Sequence, residues 1–597
     1  MNIFRVLTII VIGAIFTLLF GFQPEANPVN AAVVIPEGND FATRVLRDTW
    51  DMSQYSDISQ YINSDDSQSA LQNIQVTNGV FSAHSISTDP LFFVLFPGYL
   101  NTISVGKVGD QFPIDSSVYK CMYFAMKVDS GPSNTGPDPF QIFWFGNKDM
   151  TQSFGTYTNV VAGTPTNRYW NLYSVNLASP SLGAAWTSQT YWKGLRIDPT
   201  IQSNVNFAVD WVRLTDCSTR NYKVSWPQSV TSQSIWARPV GASHNIRLAA
   251  EVSGTSATLD LQGMQPGNYE LVLGTGNDTC CSTTSLGTVE INQAPIVQIS
   301  RPSFTSGASY GSQIGNPWDM SDSQDATTDC MASSIQNGLL VMDTPSFENQ
   351  PGPCVSGNIS DPKVFLNSPQ QVNTSEYRYF TFKMKTDGAL QKFGKGMMAR
   401  FIWAINSCDM VSLDMPYDVG WNTLSIDLYD PIAGNAVQWY GTSCPAGPIS
   451  WRSNQTVGQF RFDPNENISG STFHQELDWV SLNKVDQVKR GNRFPLGVSV
   501  NKATNLVSLS YYYTTTITDT KQHVIYIAPT GGSTPRPSAA HYLFLPTVAK
   551  DYDPSLSGNT LWDTTNVAAG TYYICVEAND GLNSGIFCSE APVNVTN

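Results

Sequence analysis

The sequence predicts an all-β protein: four β-sandwich domains in A-B-A-B order behind an N-terminal signal peptide. Three observations carry this. Charged residues make up 14% of the 597 positions and aromatics 12%, with 44 Gly and 35 Pro, a mixture that suits short strands and frequent turns. Apolar residues alternate with period two through segments such as "YWNLYSVNL", and beyond the leader no stretch shows helical periodicity. One phrase is also written twice: "GLRIDPTIQSNVNFAVDWVRL" from Gly194 and "QFRFDPNENISGSTFHQELDWVSL" from Gln459.

The phrase ends a longer unit. Trp50-Asp51-Met52 matches Trp318-Asp319-Met320, and "YKCMYFAMKVD" matches "YRYFTFKMKTD". "FQIFWFGN" matches "ARFIWAIN", and "YWNLYSVNLASP" matches "GWNTLSIDLYDP". The order is unbroken, so a whole domain is duplicated. The A units are placed at 32–217 and 296–485 and the B units at 218–295 and 486–597. In the B units Gly267-Asn268-Tyr269 matches Gly570-Thr571-Tyr572. "APTGGSTPRPSAA" reads as an exposed loop of the last unit.

Arg5, an apolar run from Val6 to Phe22, and small residues before Ala32 make residues 1–31 a signal peptide cleaved after Ala31. An uncleaved membrane anchor is the other reading of that run, and the only route to a membrane. The expected location is extracellular or at the cell surface. Ten cysteines agree with an oxidising compartment. Cys121 aligns with Tyr379 and Cys217 with Val485, so both are lost together in the second copy, as a bonded pair would be. Cys330–Cys354, Cys408–Cys444 and Cys575–Cys588 are the other expected pairs, and the adjacent Cys280 and Cys281 form a candidate vicinal bridge. A net charge of −15 argues against a nucleic-acid partner.

The strand "YWNLYSVNL" puts Asn171, Tyr173, Val175 and Leu177 on one face and Trp170, Leu172, Ser174 and Asn176 on the other. In the second copy Asn422, Leu424, Ile426 and Leu428 make the core face, and Trp421, Thr423, Ser425 and Asp427 the polar one. A Trp on a polar face presents an apolar plate, unless a neighbouring unit covers it. In "FAVDWVRL" both faces are apolar, so Asp210 is expected to be buried and to need a partner. Arg196 is the candidate, with Arg461 and Asp478 as the second pair. Asp198 and Asp463, each before Pro at a strand end, read as turn formers.

Two resemblances follow from these motifs. "GTYYICVEANDGLNSGIFCSEAPVNV" resembles the last two strands of a bacterial fibronectin type III or immunoglobulin-like domain, which implies architecture rather than chemistry. "LRIDP…VDWVRL" resembles the C-terminal strands of galactose-binding-like jelly rolls, among them carbohydrate-binding modules. That resemblance implies a polysaccharide or cell-surface glycan as partner. The polar faces nominate Tyr123, Lys127, Gln141, Asn147 and Trp170 in the first copy, and Lys385, Arg400, Asn406 and Trp421 in the second. It also implies a structural calcium, with Asp51 and Asp210, or Asp319 and Asp478, as ligands.

Catalysis is not expected. No HExxH, GxSxG or P-loop motif occurs, and doubled modules suit avidity better than doubled active sites. The sequence thus points to an exported, non-catalytic carbohydrate-binding or adhesion protein. The alternatives are a self-associating subunit of a surface layer, sheath or filament, and an accessory part of a polysaccharide-degrading system.

Overall fold

The computed structural model describes residues 32–597 except 55–56, 59–60, 63–69, 98–102, 105–108, 110–111, 130–139, 148–150, 159–168, 180–185, 242–243, 275–282, 346–348, 350–353, 357–358, 388–397, 406–407, 413–414, 418–419, 430–434, 441–448, 454–455, 466–471, 502–506, 516–522 and 525–559. The signal segment, the proline-rich stretch, Asn406, Cys280, Cys281 and Cys444 therefore lie outside the described residues. What is described is almost entirely β. Among the described residues no helix is long and apolar enough to cross a membrane.

Each A unit is a pair of facing sheets. In the first, Leu71–Thr77, Val80–Ser85, Asn206–Thr215, Cys121–Asp129 and Asn171–Asn176 lie side by side. They face a second sheet of Phe92–Leu95, Gly194–Asp198, Phe140–Phe145 and Ser153–Thr158. The inward rows are those that period two selects: Met122, Phe124, Met126 and Val128 from one strand, Tyr173 and Val175 from its neighbour. The second A unit repeats the arrangement. Ala332–Gln336, Leu339–Thr344, Phe473–Lys484, Tyr377–Thr386 and Gly420–Asp427 oppose a sheet that includes Lys363–Leu366, Thr456–Asp463, Met398–Ile405 and Cys408–Val411. Trp144 and Trp403 are buried at equivalent positions in the two cores, as expected for that face.

The first B unit shares its core with Trp170, Ala125, Ala208 and Trp211 of the A unit, and the second packs two apolar clusters, one of which includes Ile299 of the strand Ile296–Arg301. Tyr269 and Tyr572, matched in sequence, each donate a hydroxyl hydrogen bond to the carbonyl four residues upstream, at 2.8 and 3.1 Å. This is the corner by which a tyrosine fixes a strand entry in immunoglobulin-like sandwiches.

The contiguous boundaries read from the sequence need one correction. Val33–Pro36, counted with the first A unit, pairs in parallel with Val289–Asn292 at the end of the first B unit. Ile296–Arg301, counted with the second A unit, pairs with Arg493–Asn501 of the second B unit. Each A unit is therefore looped out between one strand of a B sandwich and the rest of it. Short apolar strands look alike in isolation, and only their partners assign them. At the first junction Glu37 accepts from the buried Arg213 of the A unit and, at 2.7 Å, from the backbone N–H of Ala294.

Among the described residues three disulfides join pairs: Cys121–Cys217, Cys330–Cys354 and Cys575–Cys588; Cys408 is also disulfide-bonded. The first joins the start of one strand to the residue just beyond its antiparallel neighbour, where Cys121 pairs with Thr215.

Candidate functional site

The repeated Arg and Asp of "LRIDP" make an ion pair with each other. Residues two apart on a strand share a face, so Arg196 chelates Asp198 at 2.7 and 2.8 Å and also reaches Asp89 at 2.7 Å. Arg461 chelates Asp463 at 2.5 and 2.7 Å and also binds Asp361. Asp198 and Asp463 are buried partners rather than turn formers. Burial pushes the Asp198 carboxyl up to about 6 even though Arg196 pulls it down. The expected Arg196–Asp210 and Arg461–Asp478 pairs are therefore corrected. A β-bulge between Val209 and Trp211 displaces Asp210 from the regular register. Its carboxylate meets His244 at 2.8 Å, and Asp478 meets Lys383 at 2.7 Å.

These contacts also bear on calcium. Asp51 accepts from Thr49 Oγ1 and the Ser53 N–H, and Asp319 from the Ser321 N–H, so each turns back on its own loop. Among the described residues, two trios of ligand-type side chains lie within 4.8 Å of one another: Asp329–Cys330–Cys354 and Asp387–His474–Glu476. The first contains a disulfide, and Lys385 bridges Asp387 and Glu476 in the second. Neither includes Asp51, Asp210, Asp319 or Asp478, whose carboxylates are engaged by the partners named above.

The candidate sugar-binding residues divide between the two copies. In the first, Trp170 is 4% exposed and packs in one core with Ala125, Ala208, Trp211 and the apolar residues of the B unit. Its ring stacks on His244 at 4.2 Å, with Lys127 5.7 Å from its centroid. Trp211 Nε1 donates to Gly263 O at 2.9 Å. A Cβ on Gly263 would stand 2.2 Å from the ring of Tyr123, so only glycine allows this approach. Tyr123 is buried, with its hydroxyl on Asp260 at 3.1 Å. Trp170 and Tyr123 thus offer no face to a ligand, because the neighbouring unit covers the sheet. Gln141 is half-buried on the opposite sheet, and Asn147 braces its own turn through Thr151 Oγ1 and the Gln152 N–H.

In the second copy the same face is open. Trp421 is 47% exposed, beside Lys385 in register and with Lys383 Nζ 5.0 Å from its ring centroid. Lys385 contacts Asp387 at 3.2 Å and Glu476 at 3.4 Å, and the Asp387 carboxylate raises its pKa. Arg400 lies on the other sheet, opposite Asp463, away from this group. The aligned positions show how the face changed. Ala125, Ala208 and Leu172 under the cover correspond to Lys383, Glu476 and Thr423 in the open. The surroundings became polar, yet the Trp was kept. Comparing the aligned faces residue by residue is the signal that would have distinguished the two Trp residues from sequence.

A second concavity was not expected. On the outer side of the other sheet of the second A unit, a groove of about 580 Å³ is lined by Phe365, Ile402, Ala404, Gln459, Arg461 and neighbours.

No family model matches the chain, and no curated protein matches it. Among solved structures it is similar to an agarase, at 12% identity and a TM-score of 0.20, over 28% of this chain and 24% of that one. It is also similar to carbohydrate-binding modules of the β-sandwich superfamily, at 9% identity and a TM-score of 0.17, over 45% and 93%. A CBM22 tandem domain from Paenibacillus barcinonensis gives 8% identity and a TM-score of 0.18, over 72% and 98%. The chain spans 24–39% of the length of the first three structures it matches. TM-scores this low carry no argument about function.

Proposed function

We propose that the protein is an exported, non-catalytic binder of polysaccharide or surface glycan, and that the second A unit is its binding half. The retained, exposed Trp421 carries this reading. A large apolar plate stands exposed where its counterpart in the first copy is covered, among neighbours that are charged or hydroxylated rather than apolar. Sugars present C–H patches ringed by hydroxyls; an aromatic face takes the first, and Lys383, Lys385, Glu476 and Thr423 supply partners for the second. The first A unit, whose equivalent face is buried under the B unit, serves as architecture. The disulfides support an oxidising location.

The test is a pull-down of residues 32–597 on a panel of insoluble and soluble polysaccharides, with Trp421→Ala alongside. Binding weakened in the variant, with its melting profile intact, supports the reading. Failure to bind any polysaccharide, together with growth of large assemblies, would replace it with a surface-layer or filament subunit.

A further inference from the structure

The groove on the other sheet has an instructive counterpart in the first copy. There the outer row crosses the strands as Phe93, Arg196 and Phe143. Leu91, Phe93, Phe96 and Phe145 form a closed apolar cluster, with Phe143 packed against it. The Arg196 guanidinium lies 4.8 Å from the Phe143 ring centroid. On the adjacent strand a Cβ on Gly155 would stand 2.4 Å from the Phe143 ring, so glycine lets that ring lie flat on the sheet. The face is filled.

In the second copy the matching row is Phe365, Arg461 and Ile402. Phe143 has become Ile402 and Phe145 has become Ala404, and the volume those rings occupied is part of the groove. Phe365, the counterpart of the buried Phe93, is 41% exposed. The cations at the groove are already matched: Lys363 pairs with Asp361 at 3.2 Å, and Arg461 with Asp361 and Asp463. The groove also presents the amides of Gln324, Asn367 and Gln459, the hydroxyl of Thr327 and the carboxylate of Asp409, which disfavours an anionic ligand. One exposed aromatic plate, an aliphatic floor, amide, hydroxyl and carboxylate hydrogen-bonding groups and a volume within the usual 300–1,000 Å³ of ligand sites describe a cleft for an extended polyhydroxylated ligand.

We propose that this groove is a second binding site of the same A unit, distinct from the Trp421 plate and on the opposite face of the sandwich, and that it takes a segment of an uncharged polysaccharide chain. It stands independently of the Trp421 reading. The substitution that decides it is supplied by the protein itself. Ala404→Phe returns the residue of the first copy and refills the groove, while Phe365→Ala removes the plate from an exposed position.

The experiment is calorimetric titration of the full chain with cellohexaose, xylohexaose and laminarihexaose, and with an oligogalacturonate as the anionic comparison, in the wild type and in Trp421→Ala. At least one neutral hexasaccharide should still bind Trp421→Ala. Adding Ala404→Phe or Phe365→Ala should weaken that binding at least about tenfold, with the melting temperature held. The proposal is overturned if no neutral hexasaccharide binds, if the oligogalacturonate binds more tightly, or if both groove variants keep full affinity. Loss of all binding on Trp421→Ala alone would sink the groove and leave the plate. Loss on Ala404→Phe alone, with Trp421→Ala silent, would sink the plate and leave the groove.

Discussion

Trp170 and Trp421 occupy the same position of a duplicated strand, so mutating each to Ala compares burial with exposure at constant chemistry. Their exposures are 4% and 47%. A Trp side chain presents about 250 Å², so the difference is about 110 Å² of surface removed from water. At about 25 cal/mol per Å² this makes Trp170→Ala costlier than Trp421→Ala by about 2.7 kcal/mol. Trp170 also loses its stack on His244, whereas Trp421 loses a contact with the flexible Lys383. For a unit of this size the extra cost corresponds to a melting temperature lower by about 5–11 °C. Differential scanning calorimetry of the two single variants measures it. Equal depressions, or a larger one for Trp421→Ala, would refute the claim that the B unit covers only the first copy's face.

Other outcomes follow from the same structure. The Cys121–Cys217 loop spans 96 residues and the Cys575–Cys588 loop 13, so on chain-entropy grounds Ala substitution should cost about 4.7 and about 2.9 kcal/mol respectively; denaturant titration that ranks them the other way contradicts this. Asp57 is pushed up to about 8 by burial and by Asp48 and Asp51. It stays protonated in the fold while the unfolded chain ionises near 3.8. The contribution of Asp57 to stability should therefore be full below about pH 4 and fall towards pH 8, by at most about 1.4 kcal/mol per pH unit. Asp57→Asn should flatten that slope in melts across this range, and an unchanged slope would count against it. Chelation with EDTA should leave the melting temperature within about 1 °C, because Asp210 and Asp478 already have His244 and Lys383 as partners; a larger fall would restore the shared calcium site.

Much of the fold could be read from sequence because it rests on short-range rules. Period two separated Tyr173 and Val175 from Trp170 and Leu172, and paired substitution joined Cys121 to Cys217. What escaped depended on register and on neighbours. The expected Arg196–Asp210 pair joins strands that prove to lie in opposite sheets, whereas the period-two rule itself places Asp198 beside Arg196. Which sheet a strand joins depends on partners far away in the chain, and Asp210 meets His244 of the neighbouring unit instead. The fate of the two Trp residues was written on other strands, in Ala125 against Lys383 and Ala208 against Glu476. The groove was written in Phe145 against Ala404. Duplication makes such differences readable, because each copy serves as the reference for what the other has changed.

The first A unit leaves and re-enters a B sandwich whose first strand, Val33–Pro36, lies parallel to its last, Val289–Asn292, over four residue pairs. Pulling outward on the chain before Val33 and after Asn292 draws these strands past each other along their length. The interstrand hydrogen bonds are then loaded in shear, all at once, rather than one after another. Tension along the protein runs from strand to strand through that clasp and through Glu37, which ties it to Ala294. The first A unit lies between these two strands in sequence, not within the clasp they form. In the first half of the chain the smaller sandwich thus serves as the link.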